Sequence, residues 1–86
     1  MSNIFSVYDD KAKFFSPIFL APNDATAIRI FYDTMQPATH RADYNLYRVG
    51  QWDDETGIIT PQDPEIIMPG RSLVYDDQPT EEETPQ

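Results

Sequence analysis

Tyr44, Tyr47 and Trp52 are spaced through one β-rich stretch with Arg48 among them, and Tyr8 stands in an earlier one. Aromatic rings on a sheet stack on unpaired bases, and a cationic side chain beside them holds phosphate. Single-stranded nucleic acids are gripped in this way. Tyr44, Tyr47, Arg48 and Trp52 are therefore the candidate nucleic-acid-binding residues. The competing assignment is structural, because a small domain without cysteine relies on its rings for a core. Five Phe, five Tyr and one Trp must supply most of it.

Carboxylates offer a second chemistry. Asp9-Asp10 and Asp53-Asp54-Glu55 are clusters of the kind that two-metal nucleases gather around divalent cations. Aspartate also opens tight turns by accepting backbone N–H groups, and both clusters stand between apolar runs, so hairpin turns are expected there. His40, the sole histidine, follows Thr39 in a polar stretch and has no Cys, nor any placed Ser–Asp pair, beside it. A solvent-facing imidazole accounts for it. Ser2, Ser6, Ser16 and Ser72 lie in no nucleophile-elbow pattern, and the glycines form no phosphate-binding loop. The expectation is a protein without catalytic residues, metal or cofactor.

The elements that must position these residues are short. Ile4 to Tyr8 is rich in strand formers, and Asp9-Asp10-Lys11 turns the chain into a second apolar segment, Phe14 to Leu20. Pro17 interrupts that segment and cannot donate to a ladder, so it suits an edge strand or one broken at a bulge. Asn23 caps a helix with Asp24 at its positive end. Ile28, Phe31, Tyr32 and Met35 form one apolar stripe along it, and Pro37 stops it. A loop from Pro37 to Asp43 leads to a strand from Tyr44 to Trp52. Asp53 to Gly57 turns that strand back into Ile58-Ile59-Thr60. Pro61-Gln62-Asp63-Pro64 should break the chain before Glu65–Met68, and Arg71–Tyr75 would add a last edge segment. The pattern predicts an α+β fold: a small antiparallel sheet of two hairpins with one helix packed on a face. Residues 1–75 form the domain and residues 76–86 an acidic, flexible tail.

The chain has 86 residues, and 15 acids against six bases give a net charge of −9. Asp76, Asp77, Glu81, Glu82 and Glu83 contribute five of those charges, leaving −4 for residues 1–75. Phosphate neutralisation supplies most nucleic-acid affinity, and the six bases here are scattered, so unaided tight DNA binding is disfavoured. Weak contact with single-stranded DNA stays open. No apolar run has the roughly 20 residues of a membrane helix, and Met1-Ser2-Asn3 does not begin a signal peptide. A cytosolic protein without a membrane partner is expected. Edge strands containing Pro17 or following Pro69 would allow a homodimer, which would enlarge a small core.

Four pieces carry a resemblance: Ile4–Asp9 leading to Lys11-Ala12, and Ala21–Ala25 with Ala27-Ile28-Arg29 and Phe31; then Leu46–Gly50 followed by Asp53–Gly57, and Arg71–Val74. Through them the sequence resembles the small nonstructural protein of gokushoviruses, the microvirus subfamily of icosahedral single-stranded DNA phages. The tail lies outside the match. The resemblance implies a phage protein absent from the virion and working in the cytoplasm of the bacterial host. It implies a part in the switch to single-stranded genome synthesis or in packaging, with phage replication or packaging proteins as partners. It brings no catalytic residues. With the acidity, it favours an accessory protein acting through protein contacts over a direct single-stranded DNA binder.

Overall fold

The computed structural model describes residues 1–35 and 40–72. Pro37, residues 73–75 of the anticipated last edge segment and the acidic tail lie outside them. The expected α+β architecture is present: one helix, α1 (Asp24–Met35), lies on an antiparallel sheet. The strands are β1 (Ser2–Asp9), β2 (Phe14–Phe15), β3 (Phe19–Ala21), β4 (Tyr44–Asp53) and β5 (Ile58–Pro69). The order is β2-β1-β4-β5, with β3 also paired to β1. Two hairpins are thus joined along the β1–β4 ladder, with β1 inside the sheet.

The second apolar segment is the broken edge strand that Pro17 demands. Its halves pair with opposite ends of β1, Phe15 with Tyr8 and Leu20 with Ile4. Ser16 repairs the break between them. Its N–H donates to the Val7 carbonyl at 2.8 Å, and its Oγ accepts the Val7 N–H at 3.0 Å. The Ser6 hydroxyl donates to the Ser16 carbonyl at 2.7 Å. A side chain here replaces a backbone acceptor, so the polar groups at the break keep partners.

Both hairpin turns use one device. Asp9 Oδ1 accepts the N–H groups of Lys11 and Ala12, and Asp53 Oδ1 accepts those of Glu55 and Thr56. Four residues after each aspartate the chain enters the left-handed region, at Lys13 (φ 67°) and Gly57 (φ 75°). The N–H of each donates back to the aspartate carbonyl at 2.7 Å. These acids are turn builders.

Asn23 caps α1, with the Thr26 N–H reaching its Oδ1 at 2.8 Å. Phe31 and Ala27 are buried against Phe5, Leu46 and Ala21, while Ile28, Tyr32 and Met35 pack around that core. The helix is described as far as Met35. Beyond the next segment, Arg41–Asp43 forms a 3-10 turn rather than plain loop.

Two expectations change in the last third. The Pro61–Pro64 stretch does not end the second hairpin: β5 continues to Pro69, with Pro61 paired to Gly50 and Glu65 to Arg48. The intervening Gln62, Asp63 and Pro64 bulge opposite Val49, and an outer strand tolerates proline that an inner one would not. Gly70 to Ser72 then turns helical, so Arg71 does not extend the sheet. A Cβ at Gly70 would collide with the carbonyl oxygens of Arg41 and Tyr44, and its N–H donates to Asn45 Oδ1 at 3.1 Å.

The matched turns predict opposite outcomes for opposite substitutions. Lys13→Gly should stabilise the fold by about 0.5–1 kcal/mol and Gly57→Ala should cost about 1 kcal/mol, both read from urea unfolding midpoints. The two amide bonds at Asp53 also favour its carboxylate and hold its pKa below the ordinary 3.8. Turn stabilisation is therefore complete above that value and disappears as acidification protonates the folded form. An NMR titration following the Glu55 amide should show a midpoint below 3.8.

Candidate functional site

Residues paired directly across an antiparallel ladder project on the same side of the sheet. Phe5, Val7, Leu46 and Arg48 take the helix side, as Phe5 and Leu46 pack on α1 and Arg48 reaches its first residue. Their neighbours in sequence take the other side, which no described element covers. Ile4, Ser6 and Tyr8 project there from β1, and Phe15 and Leu20 opposite them. Tyr47, Gly50 and Trp52 follow from β4, facing Ser6, Ile4 and Ser2, and Ile66 and Ile59 from β5.

The sequence-predicted set is therefore divided. Tyr47 and Trp52 stand on the open face, whereas Tyr44 and Arg48 stand on the helix side. Tyr44 lines a cavity of about 370 Å³ between α1 and the sheet, with Val7, Phe14, Phe31 and Met35. Arg48 donates to Asp24 Oδ1 at 2.6 Å and to Glu65 Oε1 at 2.8 Å, with 22% of its side chain exposed. Asp24 above all, and Glu65 with it, hold the guanidinium pKa above its ordinary value. Each of its two terminal nitrogens thus donates to a carboxylate of the chain itself. Its position joins α1, β4 and β5 at one point.

On the open face the rings make their own cluster. Tyr8 lies 4.7 Å from Phe15 and 6.3 Å from Tyr47, and Phe15 lies 5.6 Å from Tyr47, centroid to centroid. Tilted and edge-on arrangements of this kind are favourable ones. Phe15 was not among the residues singled out from the sequence. The signal was its position after the Asp9 turn, which sets it opposite Tyr8, but the register had to be known first. Among the described residues at the paired positions of this face, none is Asp, Glu, Lys, Arg or His.

The described residues contain no group of three His, Cys, Asp or Glu placed to hold a metal ion, and no helix long and apolar enough to cross a membrane. His40 is exposed beside the 3-10 turn. The arrangement offers an uncharged aromatic and aliphatic plane, a small apolar cavity behind it, and a cation already bound by acids.

A family model described as Phage ORF5 protein matches residues 2–73. No curated protein and no solved structure matches the chain. The match covers every described strand and the helix, and the chain belongs to the Phage ORF5 protein family. It is a phage accessory protein.

Removing the guanidinium tests its structural role. Arg48→Met keeps the stem and leaves Asp24 and Glu65 unpaired; we expect a loss on the order of 1 kcal/mol that shrinks at high salt. A loss that does not respond to salt would assign Arg48 to packing alone.

Proposed function

We propose that the chain is a non-enzymatic accessory protein of a gokushovirus-like microvirus, acting in the cytoplasm of the bacterial host. It regulates synthesis or packaging of the single-stranded DNA genome through protein contacts. One observation carries this reading: in a chain of net charge −9, the sheet face that no described element covers has no ionisable residue at its paired positions and exposes Leu20, Ile59 and Ile66. Large exposed apolar patches mark interaction surfaces. A DNA-coating surface needs cations beside its rings, and Arg48, the arginine within the aromatic strand, is held by Asp24 and Glu65 on the other side of the sheet. The family membership supplies the phage setting, and the resemblance carried by the four sequence pieces supplies the gokushovirus one.

The second reading, direct binding of single-stranded DNA, draws on the Tyr8–Phe15–Tyr47 cluster, with Trp52 on the same face. Base stacking on such a platform, with no cations to neutralise phosphate and release counterions, would be weak and only slightly salt-dependent.

Two measurements separate these readings. Tagged full-length chain, recovered from infected cells at physiological salt, should bring down the replication initiator, a host helicase or procapsids; recovery of none of these ends the leading proposal. A labelled oligonucleotide titrated with the same protein should show no saturable binding at moderate salt. Saturable binding that weakens on substitution of Tyr47 or Trp52 by Ala would establish the second reading in its place.

A further inference from the structure

Among the described residues no element covers the second face of the sheet, and the chemistry of that face narrows what can cover it. Leu20, Ile59 and Ile66 are 47%, 56% and 50% exposed there, around Ile4, which is only 3% exposed. The aromatic cluster of Phe15 and Tyr47 continues the patch to one end. Neither edge of the sheet suits pairing with another chain. Pro17 interrupts one, and Pro61, Pro64 and Pro69 stud the other. Prolines at an edge remove donors and discourage added strands.

We infer that this open face is the interface of a symmetric homodimer, its occupant a second copy of the chain. The inference rests on reading the face as a protein-contact surface and names the partner. Charge is the first argument. A second copy carries the same −9, so the copies can approach closely only where neither presents an ionisable group. The described paired positions of the open face satisfy that condition. A basic partner would instead find no acid on this face to recognise.

Area is the second argument. Strands of eight to ten residues run about 26–33 Å, and four abreast span about 19 Å, so the plane covers roughly 500–600 Å² before side-chain relief. A stable association needs about 800 Å² per partner. One face thus approaches that area without help from the edges.

Architecture is the third. Two such sheets stacked face to face, about 10 Å apart and some 30° askew, make a sandwich with a helix outside each sheet. The acidic hairpin turns lie at strand ends, and each Tyr44 cavity lies behind its own sheet. Both stay free for other phage or host proteins.

Sedimentation equilibrium of the purified full-length chain reads this directly. The expected result is a mass of twice 9.9 kDa at micromolar concentration, with association unchanged or tighter in higher salt. Leu20→Glu and Ile66→Glu each place two facing carboxylates in a two-fold contact. Each should weaken association by at least roughly a hundredfold while the far-UV spectrum stays native. Ile30→Glu, on exposed helix surface, should leave the mass at that of the dimer.

Methyl NMR of the unsubstituted protein gives the same answer without relying on variants. On dilution, signals of Leu20, Ile59 and Ile66 should shift, and those of Ile30 and Ile58 should not. A monomer at all concentrations overturns the inference. So does a dimer indifferent to both open-face charges, or one whose shifts fall on Ile30 and Ile58. Because the experiment uses purified chain alone, its failure leaves the recovery of phage proteins from infected cells an independent question.

Discussion

A sheet has two faces, and among the described residues this chain has one 12-residue helix to cover them. Such a helix is about 18 Å long, enough to lie along one side of a small sheet and no more. That constraint governs the rest. The residues that α1 can reach, Phe5, Leu46 and Ala21, become the fully buried core with Phe31 and Ala27. Those on the reverse of the same strands, Ile4, Tyr8, Tyr47 and Trp52 among them, are covered by no described element. Domains settle into packed layers because each apolar face must be buried somewhere. A half-covered sheet is therefore a statement about partners as much as about folding.

The core is small, and polar devices at its margins hold the strands where the helix needs them. Ser16 closes the gap made by Pro17, keeping both halves of the outer strand on β1, so Phe19 can stack on Phe5 at 5.8 Å. Arg48 ties the first residue of α1 to the two strands of the second hairpin. A salt bridge of this exposure contributes little energy on its own. Its value is registration: it sets the start of the helix over β4, and the cap at Asn23 sets the helix direction. Consuming the arginine in this way also withdraws it from solution. One contact thus shapes both the fold and what the surface can bind.

Much of the fold was legible in the sequence, since turns, caps and prolines act locally. The Asn23 cap, the broken Phe14–Leu20 strand and the two aspartate turns follow from side-chain chemistry within a few residues. Register was not legible, because it depends on pairing between distant segments. A one-residue shift exchanges every side chain between faces. Tyr44, Tyr47, Arg48 and Trp52 looked like one surface because they are close in sequence. Odd spacing from Tyr44 to Tyr47 splits that pair. The extra residue at Val49 then changes the phase, placing Trp52 beside Tyr47 rather than Arg48. Phe15 joined the cluster for the same reason in reverse: its position was visible and its partner was not. The continuation of β5 past Pro61 went unseen because proline is a breaker inside a sheet but tolerable at its edge.

Acidity has a different meaning once the faces are known. Averaged over the sequence, −9 would describe a protein that repels DNA, membranes and itself. Resolved onto the structure, acids occupy the turns and the helix side, where Asp9 and Asp53 build the chain reversals and Asp24 and Glu65 hold Arg48. The open face has none at its paired positions. Charge elsewhere then works as a selector. It discourages contact through every other surface while leaving one plane free of penalty, so association is steered by exclusion as well as by apolar attraction. Any protein that associates through that plane gains specificity from the arrangement. The residues responsible are the same acids that make the turns.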